Sequence, residues 1–315
     1  MMKNEVKAFA PATVANVSCA FDVLGFAVQA LGDEVTLRRK KDSGIVISSI
    51  TGDGGRLSTD PLKNTASVAV QAFLNKVGAA DLGVDLQLKK GMPLGSGMGS
   101  SAASAAAALY AANAMLGYPL STRDLVPFAM ESERIACGSA HADNAAPALL
   151  GGFVLIRSYH PLDIIQIQPP KNLHSVLIHP ALELNTSDSR HILKKQVPLN
   201  VAVKQWGNIA GLIAGLYTSD YALIGRSLED FIFEPARSFI IPAFSEVKAA
   251  ALEAGALGCS ISGSGPSLFA LSDCPERAND IAHGMQKAFL ESGIRSQTFV
   301  SLISTAGARL LEVTE

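Results

Sequence analysis

Pro93-Leu94-Gly95-Ser96-Gly97-Met98-Gly99-Ser100-Ser101-Ala102-Ala103 is the stretch whose reading decides the fold. Before it, Val84-Asp85-Leu86-Gln87-Leu88-Lys89 alternates apolar and polar residues, the pattern of a half-buried strand. After it, Ala105 to Leu116 is almost entirely alanine, leucine and other strong helix formers, and Gly117 closes the run. The glycines therefore sit between a strand and the first turn of a helix. Glycine allows positive φ and a close backbone approach to a ligand. The helix start adds unpaired N–H groups and the positive end of the dipole. Together these make a phosphate site, to which Ser100 and Ser101 add hydroxyls for phosphate or a metal ion. The alternative is a tight turn with no ligand.

The loop fits neither of two common phosphate motifs. A Walker A loop needs Gly-Lys-Ser/Thr, which is missing. A dinucleotide fingerprint is nearly met by Gly95 and Gly97, but Ser100 stands where the third glycine belongs. Pro119 and Leu120 stand where an acidic residue is expected.

The 315 residues suggest two domains. Hydrophobic residues make up 48% and charged residues 17%, the balance of a globular protein. A net charge of -2 gives no electrostatic footprint for nucleic acid or an anionic membrane. The N-terminal residues lack an apolar signal core, so a cytoplasmic protein is expected. The alanine-rich run is weakly hydrophobic and broken by serines, which argues for a buried helix over a membrane span. Cys19, Cys137, Cys259 and Cys274 form no C-x-x-C pair and are expected to be reduced core or pocket thiols.

Along the chain, Val6 to Ala10 reads as a first strand stopped by Pro11. The apolar segment that follows carries Asn16 and Asp22, and buried polar groups need partners. Two readings stay open: a ligand pocket, or Asp22 capping a helix with Asn16 fixing a turn. Further strands are expected at 34–37 and 45–47, and a helix from about Thr65 to Val77. Ser121 to Asp124 looks like a helix start. Glu133 could complete magnesium coordination with nucleotide phosphates, while Glu131 reads as a solvated helix face. His141 has no partner at metal spacing and suits hydrogen bonding. The proline-rich segment 158–170 follows the strand 151–156, giving domains 1–160 and 161–315. Thr186 to Arg190 is expected to open a basic helix, and a long apolar helix spans roughly 201–216. Arg190 and Arg237 could clamp a carboxylate, or pair at the surface. A second glycine-serine loop, Gly258 to Leu271, leads into a strand. A helix over 275–292 and a strand over 296–303 end the fold, an α+β arrangement.

Pro-x-x-x-Gly-x-Gly-Ser-Ser-Ala-Ala resembles the second motif of the GHMP small-molecule kinases. Three further segments narrow the resemblance to the homoserine kinases. They are Ala10-Pro11-Ala12-Thr13-Val14-Ala15-Asn16 with Phe21-Asp22-Val23-Leu24-Gly25; Gly138 to Ala148; and Gly258 to Pro266. The resemblance implies an N-terminal ribosomal-protein-S5-like α/β domain and a C-terminal ferredoxin-like α+β domain. It implies ATP-dependent phosphorylation of the γ-hydroxyl of L-homoserine, a step of threonine biosynthesis. Pro93, Gly95, Ser96, Gly97, Met98, Gly99, Ser100 and Ser101 would wrap the ATP phosphates, with Asn64 near the adenine. Ser101 and Glu133 would hold Mg²⁺. Asp22 would take the substrate ammonium, and Arg190 and Arg237 its carboxylate. Asn16, His141, Asn144 and Thr186 would line the rest of the pocket, and Gly263 to Gly265 would close over it. A homodimer is left open. So are a different GHMP kinase, for a sugar or isoprenoid alcohol, and a nucleotide-binding sensor without activity.

Relatives such as mevalonate kinases have an aspartate able to act as base. Asn144 stands at the matching position and cannot accept a proton at neutral pH. Its neighbour Asp143 is expected to aim elsewhere. The expectation is catalysis without a side-chain base.

Overall fold

The computed structural model describes residues 2–138, 140–182, 192–193 and 196–314, with the backbone alone for 135–137. The first lobe is built on a seven-stranded sheet in the order β11-β1-β2-β4-β3, with β5 and β6 joined through β2. Its strands are β1 (Glu5–Ala15), β2 (Leu24–Lys40), β3 (Ile45–Thr51), β4 (Gly83–Lys89), β5 (Phe153–Tyr159), β6 (Leu162–Ile167) and β11 (Arg309–Thr314). All pairings are antiparallel except β3 with β4, which are joined through helix α1 (Thr65–Lys76). A parallel pair needs such a crossover.

Helix α2 (Ser100–Met115) is the alanine-rich run, and residues 102–109 and 111–115 are buried. It lies between strands β1 and β2 on one side and α1, α3 (Val126–Cys137) and α4 (Ala142–Leu150) on the other. A helix apolar all round has to be enclosed. Methyl side chains let the sheet and three helices all approach it closely.

The second lobe is a four-stranded antiparallel sheet in the order β10-β7-β9-β8. It comprises β7 (His174–Pro180), β8 (Gly258–Ile261), β9 (Leu268–Ser272) and β10 (Ser296–Leu302). Helices α8 (Phe244–Glu253) and α9 (Pro275–Glu291) cover one face through Val247, Ile281, Met285 and Phe289, which pack with Val176, Ile178 and Leu268. Helices α5 (Leu199–Thr218), α6 (Tyr221–Ser227) and the short α7 (Glu234–Arg237) are the remaining α-helices among the described residues. The two sheets meet where Phe26 packs edge-on against Phe269, with ring centroids 5.8 Å apart. Among the described residues no helix is long and apolar enough to cross a membrane.

The α+β organisation agrees with expectation, but several local readings do not. Strand β1 runs on through Pro11, because the ladder with β2 shifts register between Pro11 and Ala12. A bulge is where a strand tolerates a residue with no N–H. Asp22 caps no helix: the chain turns and enters β2 at Leu24. Strand β6 pairs with β5, so both sides of the 160/161 division belong to one sheet. The strand 296–302 does not end the fold, since β11 returns to pair with β1. Its Leu311 and Val313 are 42% and 40% exposed, so this edge strand carries little apolar signal. The helix expected to open at Thr186 to Arg190 lies outside the described residues.

Candidate active site

A cleft of about 420 Å³ opens between the glycine loop, the turn 16–22, the start of α1 and the tip of the 262–265 loop. Gly95, Gly97 and Gly99 all adopt positive φ, at 66°, 76° and 67°. A side chain at Gly97 would place Cβ 2.5 Å from Ser262 O and 2.7 Å from Gly265 O. At Gly99 it would meet Thr13 Oγ1 at 1.9 Å. The two glycine-serine loops thus grip each other: Ser262 Oγ donates to Gly97 O (2.8 Å) and Ser267 N to Ser96 O (3.2 Å). Within the loop, the buried hydroxyls of Ser96 and Ser100 bond to nothing among the described residues. Polar atoms buried that way carry a desolvation cost unless a ligand satisfies them.

Lys90 was not singled out by the sequence, yet it lies directly beneath the loop. Its ammonium is paired with Asp33 and donates to Ser104 Oγ (2.7 Å) and Ser100 O (2.8 Å). Asp33 also accepts from Gly91 N at 3.0 Å. Burial holds the Lys90 ammonium below the usual lysine range, against the pull of Asp33, Glu133 and Asp53. Glu133, on α3, is 6% exposed and lines the same cleft as Ser101.

Asn64 is the N-cap of α1. Its Oδ1 accepts from Ala66 N (3.0 Å) and its Nδ2 donates to Ser58 O (3.1 Å). With both ends engaged, it shapes the Ser58–Thr65 wall of the cleft, as capping residues do. Met98 is fully buried and belongs to the core, and neither it nor Pro93 is among the lining residues. What Met98 supplies is backbone: its O accepts from Thr13 N at 3.0 Å.

At the other end, Asn16 and Asp22 adopt φ of 69° and 59°. Asparagine and aspartate tolerate the left-handed region better than other non-glycine residues. Asn16 Oδ1 accepts from Asp22 N (3.0 Å) and its Nδ2 donates to Gly263 O (2.7 Å). Arg237, 4% exposed, also donates to Gly263 O (3.1 Å), and its guanidinium lies 5.0 Å from the Phe21 ring centroid. His141 Nδ1 lies 3.6 Å from Asp22 Oδ2. Tyr159 OH, which the sequence did not mark, donates to Asp22 O (2.8 Å) and accepts from Ala142 N (3.4 Å). Asn144, on the first turn of α4, accepts from Thr13 Oγ1 at 2.7 Å. Asp143, expected to aim elsewhere, also contributes to the cleft and is 3% exposed. Thr186 and Arg190 lie outside the described residues. The cleft thus brings together Asn16, Asp22, Asn64, Gly95, Ser96, Gly97, Gly99, Ser100, Ser101, Glu133, His141, Asn144, Arg237 and Gly263.

Comparison with known proteins identifies the family. Residues 64–152 match the family model for the GHMP kinases N-terminal domain, and residues 212–291 match the GHMP kinases C-terminal model. A homoserine kinase of Chlorobaculum tepidum is 56% identical over 320 aligned positions, which cover 98% of this chain and 99% of that protein. One from Arabidopsis thaliana is 45% identical, covering 97% of this chain and 84% of the other. The crystal structure of homoserine kinase from Cytophaga hutchinsonii superposes with a TM-score of 0.96 at 56% identity, covering 99% of this chain and 98% of that one. The chain belongs to the homoserine kinase family of the GHMP kinases.

Proposed function

We propose that the chain is a kinase that moves the γ-phosphoryl group of ATP to the γ-hydroxyl of L-homoserine, with no side chain acting as base. The observation that carries this reading is a single cleft with a glycine loop at one end and opposite charges, Asp22 and Arg237, at the other. A zwitterionic amino acid needs both signs, and a phosphate needs the loop.

The N–H groups of Gly95 to Ser101 and the hydroxyls of Ser96 and Ser100 bind the phosphates. The orphaned serines and the buried Glu133 carboxylate beside them fit a nucleotide–magnesium pair, held by Ser101 and Glu133. Magnesium, when bound, neutralises charge on the transferring phosphoryl group. Asp22 and His141 take the substrate ammonium end, and Arg237 takes the carboxylate.

Asn144 orients the nucleophile. Its carbonyl is engaged by Thr13, so the end it offers is the Nδ2 donor, which has no basic lone pair. The γ-oxygen of homoserine attacks phosphorus as the bond to the ADP oxygen breaks. The hydroxyl proton leaves late, to a phosphate oxygen or solvent, as a loose transition state allows. Positioning and electrostatics supply the rate.

Coupled ADP release with ATP and a panel of alcohols tests the activity. Homoserine is expected to give turnover well above sugars and mevalonate, with phosphorus NMR placing the product phosphate on the γ-oxygen. Turnover on another alcohol and none on homoserine would overturn the reading.

A further inference from the structure

The two charges offered to the amino acid come from distant parts of the chain. Asp22 lies in the turn that enters β2 at Leu24, and Arg237 is the last residue of α7. Their neighbours meet: the rings of Phe21 and Phe233 stack with centroids 3.8 Å apart and planes 15° apart. Phe21 directly precedes Asp22. Phe233 stands one helical turn before Arg237, whose backbone N–H donates to Phe233 O at 3.0 Å. The Arg237 guanidinium lies over the same Phe21 ring, 5.0 Å from its centroid. We propose that Phe21 and Phe233 are positioning residues that hold the Arg237 guanidinium opposite Asp22, at the spacing a substrate with ammonium and carboxylate on one carbon requires. This rests on the reading of Arg237 as the carboxylate partner.

Two rings left to themselves favour offset or edge-on contacts with centroids about 4.5–7 Å apart. Here the backbones on both sides bring them closer. Asp230 is buried and caps the segment that carries Phe233: its Oδ1 accepts from Ile232 N (2.9 Å) and Phe233 N (3.0 Å), and its Oδ2 from Glu234 N (2.8 Å). Gln205, on the buried side of α5, ties that segment to the turn 16–22. Its Nε2 donates to Asp230 Oδ1 and to Cys19 O, both at 2.8 Å, and its Oε1 accepts from Phe231 N at 2.9 Å. Helix α7 is fastened to the second lobe through Glu234, which pairs with Lys248 and accepts from Ser260 Oγ at 2.6 Å.

These polar ties fix the two backbones but leave a long, jointed arginine side chain to be placed. A flat ring does this well. It offers the guanidinium a face to lie on, and the stacked partner stops that ring from turning. An aliphatic side chain in place of either ring is thicker and offers no face. Arg237 would then shift by about 1 Å, enough to cost up to about 10²-fold where a substrate has to be held in register.

The test is a double-variant cycle in the full chain, read as kcat/KM for homoserine with KM for ATP beside it. Phe233→Leu is expected to raise KM for homoserine by about 10-fold, with kcat and KM for ATP within about twofold of the parent. Phe21→Leu reads the same stack from the other ring and is expected to give the same split. Both rings are only half-buried, so native circular dichroism is expected in each variant. Phe233→Tyr keeps the stack and is expected to stay within about twofold of the parent. In an Arg237→Leu background, Phe233→Leu is expected to lower kcat/KM by no more than about twofold further, because the ring then has no guanidinium to place. Penalties that multiply in the double variant overturn the proposal, as does a rise in KM for ATP equal to that for homoserine. So do unchanged homoserine kinetics in Phe21→Leu and Phe233→Leu while Arg237→Leu is impaired. Unchanged homoserine kinetics in Arg237→Leu itself would instead remove the carboxylate reading, and the positioning role with it.

Discussion

Thr13 Oγ1 donates to Asn144 Oδ1 at 2.7 Å, joining two positions 131 residues apart at the back of the glycine loop. The bond fixes which end of the Asn144 amide is left for the substrate. Removing the hydroxyl with Thr13→Val frees the amide to rotate, and misplacement of about 1 Å costs up to about 10²-fold in rate. The expected result is a lower kcat with KM for ATP within about twofold of the parent. Asp143→Ala is expected to retain measurable turnover at saturating homoserine. If it abolishes turnover while the fold survives, Asp143 is the base and the base-free mechanism fails.

Gly97 is pinned by both backbone angle and space, whereas Gly54 has positive φ with nothing near its missing Cβ. Gly54→Ala is expected to cost only the left-handed penalty, about 1–2 kcal/mol. Gly97→Ala adds a clash with Ser262 O and Gly265 O that neither loop can relieve alone. Melting is expected to fall by several degrees more in Gly97→Ala, at roughly 2–4 °C per kcal/mol. Activity should fall further than stability, because the loop that has to move is the phosphate site. Equal effects at the two glycines would remove the gripping-loop account.

The glycine loop is legible in the sequence because a phosphate cradle demands residues that few other structures need. Three glycines at positive φ ahead of an alanine run have little other use. Lys90 is not legible in the same way. Beside Lys89 at a strand end it reads as a solvated cation. Only Asp33, 57 residues earlier, turns it into a buried pair. The period of two did hold a signal, since Lys89 points out to Glu34 while Lys90 points in. Thr13 escapes for a similar reason: its role depends on α4 folding back onto β1. Asn64 shows the reverse. Its position in the cleft is readable, but its amide is spent on capping α1 and shaping the turn before it.

Lys90 and Asp33 test how far the loop depends on what lies below it. Removing one partner of a buried pair leaves the other charge uncompensated, at a cost of about 3–5 kcal/mol. Lys90→Met is therefore expected to lower stability clearly, and to raise KM for ATP more than KM for homoserine. The double variant Lys90→Met with Asp33→Leu should regain part of the stability, with ATP affinity still impaired. Full recovery of ATP affinity in the double variant would show that the pair only fills space.

Arg237 should separate substrate from nucleotide. Arg237→Leu removes the proposed carboxylate partner and one bond to Gly263 O. KM for homoserine is expected to rise by about 10–100-fold, with a smaller change for ATP, as loss of a charge-assisted pair predicts. Arg237→Lys keeps the charge without the fork and is expected to recover only part of the loss. Unchanged homoserine kinetics in Arg237→Leu would remove the carboxylate assignment.

The thiols give the pH prediction. Cys19 and Cys259 are each 1% exposed, and burial pushes both thiols up from 9.0 to about 12. For Cys19 the Asp230 charge adds to the effect of burial. Between pH 9 and 12 the unfolded chain loses these protons while the native chain keeps them. The stability they contribute is thus complete below pH 9 and is lost as pH rises toward 12. Thermal unfolding is expected to fall steeply across that window, and less steeply in Cys19→Ala. At pH 8, Ellman's reagent is expected to reach no more than two of the four cysteines in the native protein and all four in guanidinium. Reaction of Cys19 itself in the folded state, identified by its loss in Cys19→Ala, would mean that the turn 16–22 opens, because Cys19 Sγ sits against Ser227 O at 3.3 Å in the same packed turn that presents Asp22.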